Sequence, residues 1–530
     1  MSAPDAPARS LPRRLSPRAR LVLVVLSAAL HALAFPPWDQ PLAAWMALAP
    51  LLVAIRGVGG RAAAGLGLLW GALSIWAQGY WVPLGIAYYY DQPLVFGFLF
   101  ALGASLVFYA TYTAFFAFCA ARLPTAWPAF PRAVAIAAFF VSAEWARASL
   151  LTGDPWLLLG YALVPGLGFA QIAAWGGVYL LSFFVVVANA ALVECWFGFA
   201  ESSGVRLKEA LTTLALAVLV PGVYGVSHLL DADEASESMS IAVVQGNQDF
   251  GAHWREEFYG VGLDEYLELS TEVADAGAEL VVWPESSVNF LVETDPPWRF
   301  AIEEAVRGWG SQLILGGPHA ETNAAGERTW RNSAFLVDPE DGLQQRYDKH
   351  RLLPFGEYFP LRMISFLRRF ERVRSFEPGD GTAILETARG KVGVSICFEA
   401  IFPDTIRRQV GDGARLLLNL SNDAWLGPGA GPEQHLLMVR LRAIENGIWV
   451  VRATTTGISA VINPFGAVER DLPRGVRGVI GGEVGLGSTP TFYSRYGDVF
   501  AALCVFIGLA AFLVAARTSR RCDADEDRGS

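Results

Sequence analysis

Lys391-Val392-Gly393-Val394-Ser395-Ile396-Cys397-Phe398-Glu399 is the stretch that decides how the second half of the chain folds. The run 391–396 is short, apolar and β-branched, which predicts a buried strand. A helical pattern follows at 404–410. Cys397 therefore ends a strand ahead of a helix. Such a junction points the side chain out of the sheet end, where a helix N-terminus favours a thiolate. Of the five cysteines, Cys119, Cys195 and Cys504 fall in apolar runs and Cys522 in the C-terminal tail. Cys397 has no disulfide partner within its own domain, and five cysteines in 530 residues exclude a disulfide framework. Taken alone, Cys397 is open to two readings, a reactive thiol and a buried structural one.

Similar runs lie on both sides. Strands are predicted at 240–245, 279–283, 312–316, 333–337, 416–420, 448–452 and 458–463, and helices at 262–276, 298–309 and 432–446. Their alternation predicts an α/β domain over 231–496. Two further positions carry chemistry. Glu285 follows 279–283 behind a proline, where burial would raise its carboxyl toward a useful base. A helix-start acid or surface charge is the alternative. Lys349 is one of three lysines in a chain with 38 arginines. A composition so biased keeps lysine where a compact ammonium differs from a planar fork; a solvated lysine between Asp348 and His350 is the alternative. Together, Cys397, Glu285 and Lys349 supply a nucleophile, a base and a cation for a developing oxyanion.

The first half reads differently. The whole chain is 53% hydrophobic and only 17% charged, where a soluble enzyme would carry about 25% charged residues. A net charge of −10 argues against a basic nucleic-acid-binding surface. Apolar runs long enough to span a bilayer lie near 21–37, 41–56, 63–82, 94–121, 132–151, 166–198 and 209–230, with an eighth near 498–516. The expected organisation is a membrane domain at 1–230 with seven spans, the α/β domain at 231–496, and an eighth span with a tail at 497–530. Arginines crowd the N-terminal tail, alternate loops (Arg56, Arg61, Arg122, Arg132, Arg206) and the C-terminal tail, while the loops near 38–40, 83–93 and 152–165 hold no Lys or Arg. Both termini are then expected in the cytoplasm, with 231–496 on the opposite face. The six histidines show no paired ligand spacing, so neither a metal nor another cofactor is expected.

The set Trp283-Pro284-Glu285, Lys349 with Pro354-Phe355-Gly356-Glu357, and Cys397-Phe398-Glu399 resembles the nitrilase superfamily, whose catalytic set is Glu-Lys-Cys. With Asn419-Leu420-Ser421-Asn422-Asp423-Ala424-Trp425 and the spans, the chain resembles the apolipoprotein N-acyltransferase family of bacterial envelopes. The resemblance implies an αββα sandwich facing the periplasm on an eight-helix inner-membrane domain. It implies Glu285, Lys349 and Cys397 as the triad, with Trp254, Glu357, Phe398 and Glu399 as supporting or substrate-binding residues. Phe398 stands where the family often has tyrosine. The implied reaction moves an acyl chain from a phospholipid, typically phosphatidylethanolamine, through a Cys397 thioester to the amine of a diacylglyceryl-cysteine apolipoprotein. A monomer without nucleic-acid partners is expected.

Other readings follow from the residues themselves. The segment 361–373 alternates apolar and arginine positions, as in an interfacial helix beside an acyl entrance or a core helix with a basic face. Glu144 and Arg147 share one helix face in a span, as an ion pair or a headgroup contact. Gly153-Asp154-Pro155-Trp156 follows on the outer side, at a candidate lipid entrance. A membrane-anchored amidase acting on a small molecule is the rival enzyme, and a transporter with an accessory domain the rival of another class.

Overall fold

A computed structural model describes residues 15–89, 91–230, 237–249, 256–322, 326–359, 375–381 and 383–529. Trp254 and the segment 361–373 lie outside the described residues. Among those described, five helices are long and apolar enough to cross a membrane: Leu94–Ala121, Ala129–Ser149, Ala173–Ala200, Gly204–Leu230 and Val499–Thr518. The remaining expected spans take other forms. Pro17–Leu33 has 17 residues, and 41–56 divides into Pro41–Ala47 and Ala49–Ile55, with Pro50 in the first turn of the second. Gly60–Gln78 is long enough, but Arg61, Gln78 and its glycines dilute its apolar character. The expected run 166–198 becomes a short helix, Leu167–Ala170, and then Ala173–Ala200, interrupted by non-helical backbone at Gly176 and Gly177.

The expected Glu144–Arg147 pair is not what the fold builds. Glu144 Oε1 accepts from the Leu159 backbone N–H at 2.7 Å. Arg147 turns to Asp154 at 3.4 Å and donates to the Trp156 carbonyl at 3.0 Å. The loop after this helix folds back over it, bringing acceptors closer to Arg147 than its own helix neighbour.

Among the described residues, twelve strands form two six-stranded sheets. The first contains β1 (Ser238–Gln245), β2 (Leu280–Val282), β3 (Gln312–Thr322), β4 (Arg328–Asp338), β5 (Gly342–Asp348) and β12 (Gly478–Gly485), in the order β12-β1-β2-β3-β4-β5. The second contains β6 (Ile384–Thr387), β7 (Gly390–Ile396), β8 (Leu416–Ser421), β9 (Val450–Thr454), β10 (Ser459–Ile462) and β11 (Val468–Leu472), in the order β11-β10-β9-β8-β7-β6.

Period-two alternation explains the layering. Val243, Val282, Ile314 and Leu336 of the first sheet share one core with Val394, Ile396, Leu418 and Leu420 of the second. The intervening residues face outward. Val281, Leu313 and Phe335 pack on Tyr266, Ile302 and Val306 of helices Leu263–Asp275 and Pro296–Trp309. Leu417, Val450 and Ile462 pack on Ile406, Val439 and Ala443 of helices Pro403–Gly411 and Gly431–Asn446. With both faces covered, the central strands read as continuous apolar runs, and the layers stack α-β-β-α.

Buried hydrogen bonds seat this sandwich on the membrane helices. Gln434 Oε1 accepts from Trp81 Nε1 at 3.0 Å and Trp156 Nε1 at 3.1 Å, while its amide donates to the carbonyls of Pro36 and Gln78 at 3.0 and 2.9 Å. Backbone meets backbone at Gly85, where a Cβ would sit 2.8 Å from the Trp425 carbonyl oxygen.

Candidate active site

The centre of each sheet is parallel (β1-β2-β3 and β7-β8-β9), so the carboxyl ends of β2, β7 and β8 emerge together. Glu285 comes off β2, Cys397 off β7 and Asn422 off β8, while β5 delivers Lys349 one residue past its end. Three residues here adopt left-handed backbone: Ser286 (φ 53°), Phe355 (φ 64°) and Cys397 (φ 50°). Non-glycine residues rarely adopt it, and such strain concentrates at functional sites. Gly316 is required for a related reason. A Cβ there would lie 2.4 Å from the Pro284 carbonyl oxygen and 2.7 Å from Glu285 Cα, so only glycine lets β3 support the turn carrying Glu285.

Glu285, Lys349, Glu357 and Cys397 are all buried. Lys349 Nζ donates to Glu357 Oε1 at 2.9 Å and to Glu285 Oε1 at 3.3 Å. Asn332 Nδ2 bridges the same two carboxylates at 2.7 and 2.8 Å. Glu285 Oε2 accepts from the Asn422 N–H at 2.7 Å, and Glu357 Oε2 from the Leu353 N–H at 2.7 Å. Burial raises the Glu285 carboxyl; Lys349 opposes the rise and Glu357 adds to it. Burial alone would discharge Lys349, but Glu285 and Glu357 outweigh it and hold the ammonium firmly protonated. Burial and the charge of Glu285 push the Cys397 thiol up to about 12, against the pull of Lys349. The resting site is thus a neutral thiol within the electrostatic reach of the Glu285 carboxyl and of a fixed cation.

Glu399 lies beneath this group and is wholly buried. Its Oε1 accepts from the Tyr347 hydroxyl at 2.7 Å and the N–H groups of His350 and Arg351 at 2.8 and 2.9 Å; Oε2 accepts from the Ile396 N–H at 2.7 Å. It ties the turn after Lys349 to the turn holding Cys397, across the two sheets. Phe398 packs edge-on to Phe402.

Several contributors carried no sequence signal of their own. Asn332 sits in mid-strand between Arg331 and Ser333, and strands are depleted in asparagine; that was the one available clue. Below Cys397, Arg452 Nη2 donates to Asp423 Oδ2 at 2.6 Å, and the Ser421 hydroxyl donates to Oδ1 at 2.8 Å. Burial works against the Asp423 anion, but Arg452 and His435 outweigh it and keep the carboxyl well below its usual range. This network anchors the turn whose Asn422 N–H holds Glu285.

The group adjoins an apolar cavity of about 210 Å³ between the membrane helices and the sandwich. Leu353, Pro354, Phe355 and Phe398 line one side; Trp76, Phe100, Ala104 and Tyr109 line the other, with Gly153, Asp154 and Trp156 at its margin.

A thiol, a carboxylate and an ammonium at the ends of an α-β-β-α sandwich define the carbon–nitrogen hydrolase class, and residues 240–491 match that family. Residues 27–191 match the apolipoprotein N-acyltransferase N-terminal domain. An apolipoprotein N-acyltransferase of Geobacter metallireducens is 36% identical over 512 residues, covering 95% of this chain and 96% of its own. Those of Azotobacter vinelandii (33%; 87% and 89% covered) and Rhodopseudomonas palustris (32%; 94% and 95%) are also similar. A solved nitrilase-superfamily amidase of Nesterenkonia AN1 is 21% identical, with a TM-score of 0.36 over 50% of this chain and 95% of that one. The chain belongs to the apolipoprotein N-acyltransferase family and is a membrane protein.

Proposed function

We propose that this enzyme acylates the α-amino group of a diacylglyceryl-cysteine apolipoprotein with a chain taken from a phospholipid. The observation that carries the reading is the apolar cavity, which joins Phe398, next to Cys397, to the membrane helices. An amidase acting on a small soluble molecule has no need of such a passage.

In the first step Glu285 takes the proton of Cys397 Sγ, and the thiolate attacks the ester carbonyl carbon. Lys349 Nζ and backbone N–H groups stabilise the oxyanion. The tetrahedral intermediate collapses, the C–O bond breaks, and the lysophospholipid leaves with the proton held by Glu285. A Cys397 thioester remains. In the second step the lipoprotein amine loses a proton to Glu285 and attacks the thioester; an amide forms and the thiolate is reprotonated. The thioester is already activated toward amines, so no nucleotide is consumed. Glu357 orients Lys349 and holds Glu285 through Asn332, and Glu399 positions the two turns. Trp254 and Phe398 act on the substrate side.

The remaining features follow from the arginine distribution and the family. The enzyme sits in the bacterial inner membrane with eight spans, a seven-span domain at 1–230 and an eighth span after 496. Residues 231–496 face the periplasm, and both termini lie in the cytoplasm. Phosphatidylethanolamine is the donor. One chain holds every residue of the candidate site, which suits a monomer.

Incubating the purified chain with acyl-labelled phosphatidylethanolamine is expected to place label on Cys397 and to release it as amide on adding a diacylglyceryl-cysteine peptide. Label retained by Cys397→Ala, or thioester the peptide cannot discharge, would refute the proposal.

A further inference from the structure

A second charged cluster lies far from the candidate active site. Arg56, Arg132 and Arg206 converge on one buried carboxylate, Glu194. Arg56 Nη1 and Arg132 Nη1 both donate to Oε1, at 2.6 and 2.5 Å, and Arg206 Nε donates to Oε2 at 2.8 Å. Glu201 takes a further bond from Arg206 at 3.1 Å, and Arg20 Nη1 packs in by donating to the Arg56 carbonyl at 3.2 Å. Three guanidinium groups thus share two carboxylates, Glu194 and Glu201, leaving an excess of one positive charge. An excess of like charge out of water is costly unless an anion completes it.

The structure also provides space for one. A cavity of about 60 Å³ lies beside Glu194, lined by Arg56 and Arg132 together with Leu52, Ile136 and Val193. That is several times the space one water needs. Arg132 is 5% exposed, and its Nε–H has no partner among the described residues. Both oxygens of Glu194 are already engaged by Arg56, Arg132 and Arg206, so this buried donor still wants an acceptor.

The location limits the ligand. Arg132 lies in the first turn of Ala129–Ser149 and Arg206 in the first turn of Gly204–Leu230, so both stand at the ends of membrane helices. From Arg206 to Leu230 the helix rises about 36 Å, and the sandwich begins beyond Leu230. A lipid engaged at Cys397 cannot reach this cluster. Guanidinium forks match phosphate oxygens in geometry and charge, and basic pockets between spans are a known form of headgroup site.

We propose that this cavity binds a phosphate anion at the membrane face remote from the sandwich, with Arg132 and Arg56 as its ligands and a phospholipid headgroup or free phosphate as its source.

The test uses the full chain in detergent. Native mass spectrometry with dioleoylphosphatidylglycerol or dioleoylphosphatidylcholine is expected to show at least fivefold greater retention of the anionic lipid by the parent and loss of that preference in Arg132→Gln. Inorganic phosphate separates the sources. If it leaves the lipid in place, the headgroup is the ligand. If it displaces the lipid and raises the melting temperature of the parent but not of Arg132→Gln, free phosphate is the ligand. Arg132→Gln is first checked for monodispersity and helical content. The parent comparison needs no variant: equal retention of the two lipids, with no effect of phosphate on melting, would overturn the proposal.

Discussion

Replacing Glu285 with glutamine should move two measurements of Cys397 in opposite directions. With the thiol near 12, only about one molecule in 10⁴ holds a free thiolate at pH 8, against about a quarter for an ordinary cysteine. After burial, the charge of Glu285 is the largest contribution to that rise, and Lys349 opposes it. Glu285→Gln removes the repulsion, leaves the Lys349 ammonium in place and keeps an oxygen available to Asn332. The thiol should then fall toward the ordinary range. Each tenfold gain in thiolate is partly offset by lower intrinsic nucleophilicity, leaving about a threefold faster alkylation. Acyl transfer should fall about 10²–10⁴-fold, because the proton acceptor is gone. The assay follows Cys397 alkylation by iodoacetamide from pH 7 to 10 by mass spectrometry, with phospholipid turnover in parallel. If alkylation slows along with turnover, Glu285 stabilises a preformed thiolate, and the base role derived from this geometry is wrong.

Three further outcomes are expected. Glu399→Gln turns an amide donor toward the Ile396 N–H, a cost of about 1–3 kcal/mol; its heat-inactivation half-life should shorten and turnover should drop, and no change in either would count against a positioning role. Ala104→Trp fills the apolar cavity and should slow thioester formation from long-chain phospholipid at least tenfold while sparing a short-chain ester; equal slowing of both would argue against an acyl passage. The third concerns acid. Burial, then Arg452, lowers His435 below the ordinary histidine value, so the unfolded chain takes up its proton first as pH falls. The stability this residue contributes is therefore complete above about pH 6.5 and lost on acidification below it. Inactivation should be faster at pH 5.5 than at 7.5, and the ratio should shrink in His435→Asn; an undiminished ratio would point to other groups.

Much of the fold was legible in the amino-acid pattern, and the omissions share a cause. All eight predicted strands formed, and the four not predicted, β5, β6, β11 and β12, are the four edges of the two sheets. Edge strands are solvated on one side and need no continuous apolar run. Val468–Leu472 alternates charges, and Gly478–Gly485 is half glycine, so neither resembles a buried strand. The span count suffered from the opposite problem. An apolar run shows that a segment avoids water but not where a helix breaks, as at Leu48 or Gly176-Gly177.

Residue type together with placement at predicted strand ends marked Cys397 and Glu285, and the scarcity of lysine marked Lys349. Sequence also set the layers, because alternation at every second residue dictates which faces must be covered. It could not supply Asn332 between two carboxylates, Glu399 joining two turns, Arg147 leaving Glu144 for Asp154, or three arginines around Glu194. Those contacts join residues brought together only when the sheets stack and the helices pack. Hydrogen bonds act over about 3 Å, so their partners are set by the folded surroundings rather than by spacing along the chain.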